Sequence, residues 1–182
     1  MTKEETRQKI VTAASHMFRE RGVKATTVPD VMEACGLTVG GFYKHFDSKE
    51  DLFRTAMAEA LKELRTRFGR MDPGLRGEPW RQAVANFYLT EQHRDHPGAG
   101  CAFAALCGDL QRADAETRGW FQDGLDTVIT LFAERMEDDT EDTRRAQAWQ
   151  FFAGLLGGII MSRSVADADR SREILRACRS KN

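Results

Sequence analysis

Residues 26–53 read TTVPDVMEACGLTVGGFYKHFDSKEDLF and pack three helix starts into one short stretch. Thr27-Val-Pro-Asp30 has the form of a capping box: the threonine oxygen can accept a free backbone N–H, Pro29 is tolerated in a first turn, and Asp30 complements the positive helix end. Gly36 stops this short helix, since glycine reaches left-handed dihedrals at least cost. Leu37 can then pack inward, and Thr38 stands where a cap for a second short helix, Val39 to about His45, belongs. Ser48-Lys-Glu-Asp51 repeats the capping logic and launches a long third helix. Two short helices joined by a tight glycine turn are the geometry that presents a recognition helix to the DNA major groove.

On that helix Thr38, Val39, Gly40 and Lys44 are placed to approach base edges or the adjoining backbone. Gly40 and Gly41 cost about 1 kcal/mol each against alanine in helix propensity, and a bare surface that settles deep in the groove would explain the cost. Tyr43, His45 and Lys49 suit phosphates, and Thr27 at the start of its own helix is a further phosphate candidate. Phe42 and Phe46 are expected in the core.

The run Gly36-Leu-Thr-Val-Gly40-Gly-Phe-Tyr43-Lys-His45-Phe46-Asp-Ser48-Lys49-Glu50-Asp-Leu52 resembles the DNA-binding signature of the TetR (tetracycline repressor) family, without a gap and at nearly every fixed position. The resemblance implies backbone-contact roles for Thr27, Thr38, Tyr43, His45 and Lys49, and variable readout positions at Val39 and Lys44. It also implies a second domain with an effector pocket, and pairing of the last two helices with their mates in a dimer.

The rest of the chain supplies the frame. Thr2-Lys-Glu-Glu5 opens a helix to about Arg21, and its stripe of Ile10, Ala13, Ala14, Met17 and Phe18 can cover two helices too short to stand alone. Residues 1–47 are therefore expected to be a three-helix DNA-binding domain, and 48–182 an effector-binding and dimerisation domain. The helix from Lys49 to about Arg70 connects the two as a mechanical lever. Further helices are expected from Trp80 to about Arg94, Cys101 to Arg112, Asp114 to Met136, Asp142 to Val165 and Ala168 to Arg179. No strand shows useful period-two alternation, so the fold is expected to be all-α with about nine helices.

Candidate effector-lining residues are Phe68, Trp80, Phe87, Tyr88 and Glu91 on the first helices of the second domain. Phe103, Leu106, Cys107 and Leu110 follow on the next, and Trp120, Phe121 and Trp149 on the two after that. Their aromatic bias points to an apolar or aromatic effector of modest size. Gly154, Gly157 and Gly158 make a small-residue face, which with Leu156, Ile160 and Leu175 is the candidate dimer interface.

Composition sets the bounds. Of 182 residues, 30% are charged, and the net charge is −1. Residues 1–70 hold 13 Lys+Arg against 10 Asp+Glu, whereas the remainder holds 14 against 18. The mild basic bias sits where phosphates would be met. No signal peptide and no spanning run of apolar residues is seen, so a cytoplasmic chain is expected, with no membrane partner. The four cysteines show no metal-like pairing and are expected to be reduced. Cys101, after Gly98-Ala-Gly100 at a helix start, is a candidate reactive thiol with Cys107 as partner, giving an alternative reading as a sensor of electrophiles or oxidants. His93 and His96, beside Glu91 and Asp95, have ligand spacing but no second cluster, so neither metal nor cofactor is expected. No nucleophile–base pairing marks an enzyme, which leaves a small-molecule-binding helical protein or enzyme without a DNA role as the remaining alternative.

Overall fold

The computed structural model describes residues 2–180, and every regular element among them is helical. The elements are α1 (Lys3–Arg21), α2 (Val28–Ala34), a 3₁₀ helix (Val39–Lys44), α3 (Lys49–Gly69), α4 (Gly77–Tyr88), α5 (Glu91–Asp95), a 3₁₀ turn (Pro97–Ala99), α6 (Ala102–Leu110), α7 (Ala115–Ala133), α8 (Glu141–Ser164) and α9 (Ala168–Ser180).

Local chemistry sets most of these boundaries. Thr2 and Thr27 each form a reciprocal capping box, with Glu5 and Asp30 as the returning carboxylates. The Ser48 hydroxyl accepts the Asp51 N–H at 3.1 Å. Gly22 and Gly36 carry φ of 84° and 66°, the left-handed dihedrals that let α1 and α2 stop and the chain reverse. Two expectations change in form. The helix expected from Trp80 to Arg94 is broken: Leu89 leaves helical dihedrals with its side chain fully buried, and Thr90 caps a new turn by accepting the His93 N–H at 3.1 Å. The recognition segment winds as 3₁₀ helix, closed by Gly41 N–H to Thr38 O at 3.0 Å and His45 N–H to Phe42 O at 2.9 Å.

Packing groups the chain into two compact units, and the grouping differs from a division at residue 47. One unit takes the chain up to Glu63 together with Pro97–Thr117. Its core is Ile10, Val11, Ala14, Phe18, Val31, Met32, Phe42, Phe46, Leu52 and Phe53, all buried. Phe18 meets Phe53 edge-on with centroids 5.2 Å apart, so α1 closes over the first turn of α3. Thr26, itself buried, donates its hydroxyl toward Met17 O and Gly22 O and thereby satisfies the end of α1.

The other unit takes Leu64–His96 and the chain from Arg118 onward. Its centre is a cluster of rings: Phe132 lies 5.0 Å from Phe68, 4.9 Å from Trp80, 5.7 Å from Phe151 and 5.5 Å from Phe152. Three of those four meetings are edge-to-face, the arrangement the ring quadrupoles favour. Gly158 lets Leu89 and Cys178 close on α8; a Cβ there would stand 2.8 Å from Leu89 Cδ2.

Candidate nucleic-acid interface

The recognition segment is held from behind and bare in front. Phe42 is fully buried and stacks at 5.6 Å on Phe46, whose outer face is covered by the Arg7 guanidinium at 4.9 Å. These rings fix the segment so that the residues between them point outward. Tyr43 is 70% exposed and Val39 43%, unusual values for large apolar side chains in a chain with a full core. Thr38, Gly40 and Lys44 are exposed as well, while His45 and Lys49 are half-buried. Gly40 does not need to be glycine for folding: its φ is not positive, and a Cβ there would meet nothing within 4 Å. The bare surface is left as the physical reason for its presence.

Thr38 departs from its expected capping role, whereas Thr27 keeps its own. Thr38 holds the cap position with extended dihedrals, yet its hydroxyl makes no capping bond and stays available. Thr27 is exposed, but its N–H donates to Asp30 Oδ2 at 3.1 Å and its hydroxyl accepts the Asp30 N–H at 3.3 Å. The Thr27 bonds hold the Asp30 carboxyl below the usual carboxylate range, so a phosphate at Thr27 meets a fixed anion beside it.

Beside the C-terminal end of the segment runs a groove of roughly 530 Å³, lined by Thr2, Lys3, Thr6, Lys44 and His45. Lys44 and His45 were singled out from the sequence; Thr2, Lys3 and Thr6 were not. Their only sequence signal is chemical type, because α1 reads there as a cap and a solvated turn.

The other candidate residues fall in both units. In the first, Phe103, Leu106 and Leu110 are buried along α6 and Cys107 is half-buried. In the second, Phe68 and Trp80 lie together in the ring cluster, and the buried Trp80 Nε1 has no hydrogen-bond partner among the described residues. Tyr88 is buried, its ring edge-on to His93 at 4.4 Å, and Trp120 and Phe121 are half-buried. Phe87 (51% exposed), Trp149 (39%) and Glu91 do not join them; Glu91 reaches the Arg94 guanidinium at 3.2 Å on the surface. Of the six dimer candidates, Gly158 and Leu175 are buried within the chain, while Ile160 is 39% exposed and Gly154, Leu156 and Gly157 are half-buried.

Cys101 does sit at the cap of α6, but only 4% of it is exposed. Burial, then the neighbouring Cys101, pushes the Cys107 thiol up to about 11, away from the thiolate a sensor needs. The two histidines turn their Nδ1 atoms to different backbone carbonyls, His93 to Tyr88 at 2.8 Å and His96 to Gln92 at 2.9 Å. No group of three metal-binding side chains occurs among the described residues, and no helix among them is long and apolar enough to cross a membrane.

Comparison with known proteins agrees with this geometry. Residues 10–56 match the model for "Bacterial regulatory proteins, tetR family". The HTH-type transcriptional repressor KstR2 of Rhodococcus jostii is 40% identical over 58 residues, 32% of this chain and 28% of that protein. The HTH-type transcriptional regulator TtgR of Pseudomonas putida is 39% identical over 67 residues, 37% of this chain and 31% of that protein. The chain thus spans about a third of the length of these curated relatives. Over nearly the whole chain the fold resembles the crystal structure of a TetR transcriptional regulator from Chloroflexus aurantiacus, with a TM-score of 0.78, 21% identity, and coverage of 97% of this chain and 93% of that one. The signature at 36–52 and the match over 10–56 give the amino-terminal part of this chain the DNA-binding domain of the TetR family of bacterial regulators, and the fold of the chain as a whole resembles that of a TetR regulator.

Proposed function

We propose that the protein is a homodimeric transcriptional repressor that binds a near-palindromic operator and is released by a small apolar or aromatic effector. The observation that carries the reading is the outward face of Val39–Lys44, exposed at Val39 and Tyr43 and pinned from behind by the buried Phe42. Thr38, Val39, Gly40 and Lys44 meet base edges and the adjoining backbone, and Tyr43, His45, Lys49 and Thr27 meet phosphates. Each subunit occupies one half-site, with the two segments about 34–36 Å apart for a one-turn spacing. Exposed Ile160 and Met161 on α8 offer apolar surface for the second subunit.

For release, an effector has to bind the DNA-free state more tightly than the DNA-bound one. α3 begins in one compact unit and ends in the other, and serves as the lever between reader and effector domain. The unpartnered Trp80 Nε1 favours an effector that carries a hydrogen-bond acceptor. Burial of Cys101 and the raised Cys107 thiol weigh against release by thiol chemistry.

The test is fluorescence anisotropy with the gene's own upstream DNA. The expected result is affinity that falls steeply with salt and collapses in Lys44→Ala and Tyr43→Ala. Binding that ignores salt, or that survives both substitutions, refutes the docking.

A further inference from the structure

The groove beside the recognition segment is built from hydrogen-bond donors. Two ammonium groups (Lys3, Lys44), one imidazole (His45) and two hydroxyls (Thr2, Thr6) line it, and no carboxylate does. It is not merely a bare helix end. The Thr2 N–H is taken by Glu5 Oε2 at 2.7 Å and the Glu5 N–H by Thr2 Oγ1 at 3.1 Å, so the first turn of α1 spends these backbone donors on itself. Thr6 donates to the Thr2 carbonyl at 2.9 Å and steadies the rim. What the groove offers a ligand is side chains.

Their charges are unanswered. Lys3 and Lys44 make no ion pair among the described residues, whereas some other cations of the same unit find partners. Arg7 lies over Phe46, Arg54 pairs with Glu116 at 2.6 Å, and Arg19 reaches Gly100 O at 2.8 Å. His45 adds a buried Nδ1 that has no hydrogen-bond partner among the described residues. Two exposed ammonium groups from different elements give one groove a positive field that an anion can answer.

We propose that this groove binds a phosphate of the DNA backbone, with Lys3 of α1 and Lys44 of the recognition segment as its two cationic walls. The inference rests on the operator-binding reading, and it extends the reader to residues that lie before the family-matched stretch 10–56. The groove shares Lys44 with the exposed face of the reader, so a duplex seated on that face brings its backbone past Lys3. The two ammonium groups, with the Thr2 hydroxyl beside them, fit phosphate oxygens and carry no sequence information, so the contact fixes register and adds affinity equally on every sequence.

The experiment titrates a labelled duplex of arbitrary sequence with full-length wild type, Lys3→Ala, Lys3→Arg and Lys62→Ala between about 50 and 300 mM KCl. Lys3 is exposed and has no capping role, and circular dichroism melting verifies that each variant is folded. In Lys3→Ala the slope of log K against log salt should fall by about 1 for each bound subunit, with affinity about 5-fold weaker per subunit near 0.15 M salt. Lys3→Arg should restore both. Lys62→Ala, whose ammonium faces Glu59 at 3.8 Å away from the groove, should leave the slope unchanged. A wild-type slope retained in Lys3→Ala, or an equal loss in Lys62→Ala, overturns the phosphate site and leaves the reader intact. Absence of salt-dependent binding by the wild type instead removes the reading on which the site rests.

Discussion

Arg19 donates from Nη1 to the carbonyl of Gly100 at 2.8 Å, tying the last turn of α1 to the turn that precedes α6. The same guanidinium donates from Nε to Ser15 O at 3.0 Å, and its side chain is only 8% exposed. Glu20 adds a second tie by accepting the Gly98 N–H at 2.9 Å, and Asp109 a third by accepting the Val23 N–H at 2.9 Å. The reader's first helix is thereby held to a segment some eighty residues further on.

Arg19→Ala leaves the Gly100 carbonyl without this donor. Hydrogen bonds to charged groups contribute about 1.5–3 kcal/mol, and urea denaturation should show a loss of that order. Hydrogen exchange should quicken in the Pro97–Gly100 turn before it does in α2. Equal protection in both proteins would mean that the tie carries no load.

Phe42 and Tyr43 are neighbours with opposite tasks. Phe42→Ala opens a cavity at a fully buried site and should cost about 3–5 kcal/mol in thermal or chemical unfolding. Tyr43→Ala removes a ring that is 70% exposed, so stability should change by less than about 0.5 kcal/mol while duplex affinity falls. Loss of affinity without loss of stability is the signature to look for.

Glycines separate the same way. Gly158→Ala drives a Cβ to 2.8 Å from Leu89 Cδ2 and 3.1 Å from Cys178 Cβ, and overpacking of that kind costs about 1–3 kcal/mol. Gly40→Ala meets open space and should hold or raise the melting temperature. On the proposed docking it should nevertheless weaken operator binding, because the added methyl would stand on the face assigned to the groove. An affinity unchanged by Gly40→Ala would remove the close-approach account.

The cysteines should be slow. With its thiol pushed up to about 11, Cys107 is almost entirely protonated at pH 8, and Cys101 is buried. Intact-mass measurement after iodoacetamide should show both unmodified in the folded protein long after a free thiol control has reacted. Rapid modification of Cys101 would reopen the thiol-sensor reading.

His93 gives the second unit a dependence on pH. Burial lowers its pKa from 6.5 to about 4, despite the bond to the Tyr88 carbonyl, so the folded state holds it neutral. The unfolded chain therefore binds more protons between these values. Stability contributed by neutral His93 is complete above pH 6.5 and is lost as pH falls toward 4. Urea midpoints measured across that window should decline in the wild type and decline less in His93→Asn.

The caps show why much of this fold was legible in the chain. Thr2, Thr27 and Ser48 announce helix starts because a hydroxyl three residues before a free N–H is a local arrangement, complete within four positions. Gly22 and Gly36 announce ends for an equally local reason, their positive φ. The run from Gly36 to Leu52 was legible as a DNA reader because the short helices about a glycine turn, and the signature it resembles, are both contiguous in the chain. Local rules failed where distant packing intervened. Leu89 bends out of a helix that its neighbours would continue, because its side chain closes on Gly158 of α8.

Sequence by itself determined the helical class, the position of the reader and the outward residues of its recognition segment, because periodicity, capping and a contiguous signature are properties of neighbours along the chain. Tertiary structure alone decided that α6 packs with the reader, through Arg19, Glu20 and Asp109. It alone joined Lys3 to Lys44 across one groove, and set Phe68 and Trp80 around Phe132 while leaving Phe87 and Trp149 outside. The physical reason is the same in each case: which side chains converge depends on burial summed over elements far apart in the chain, and no window of the sequence contains both partners.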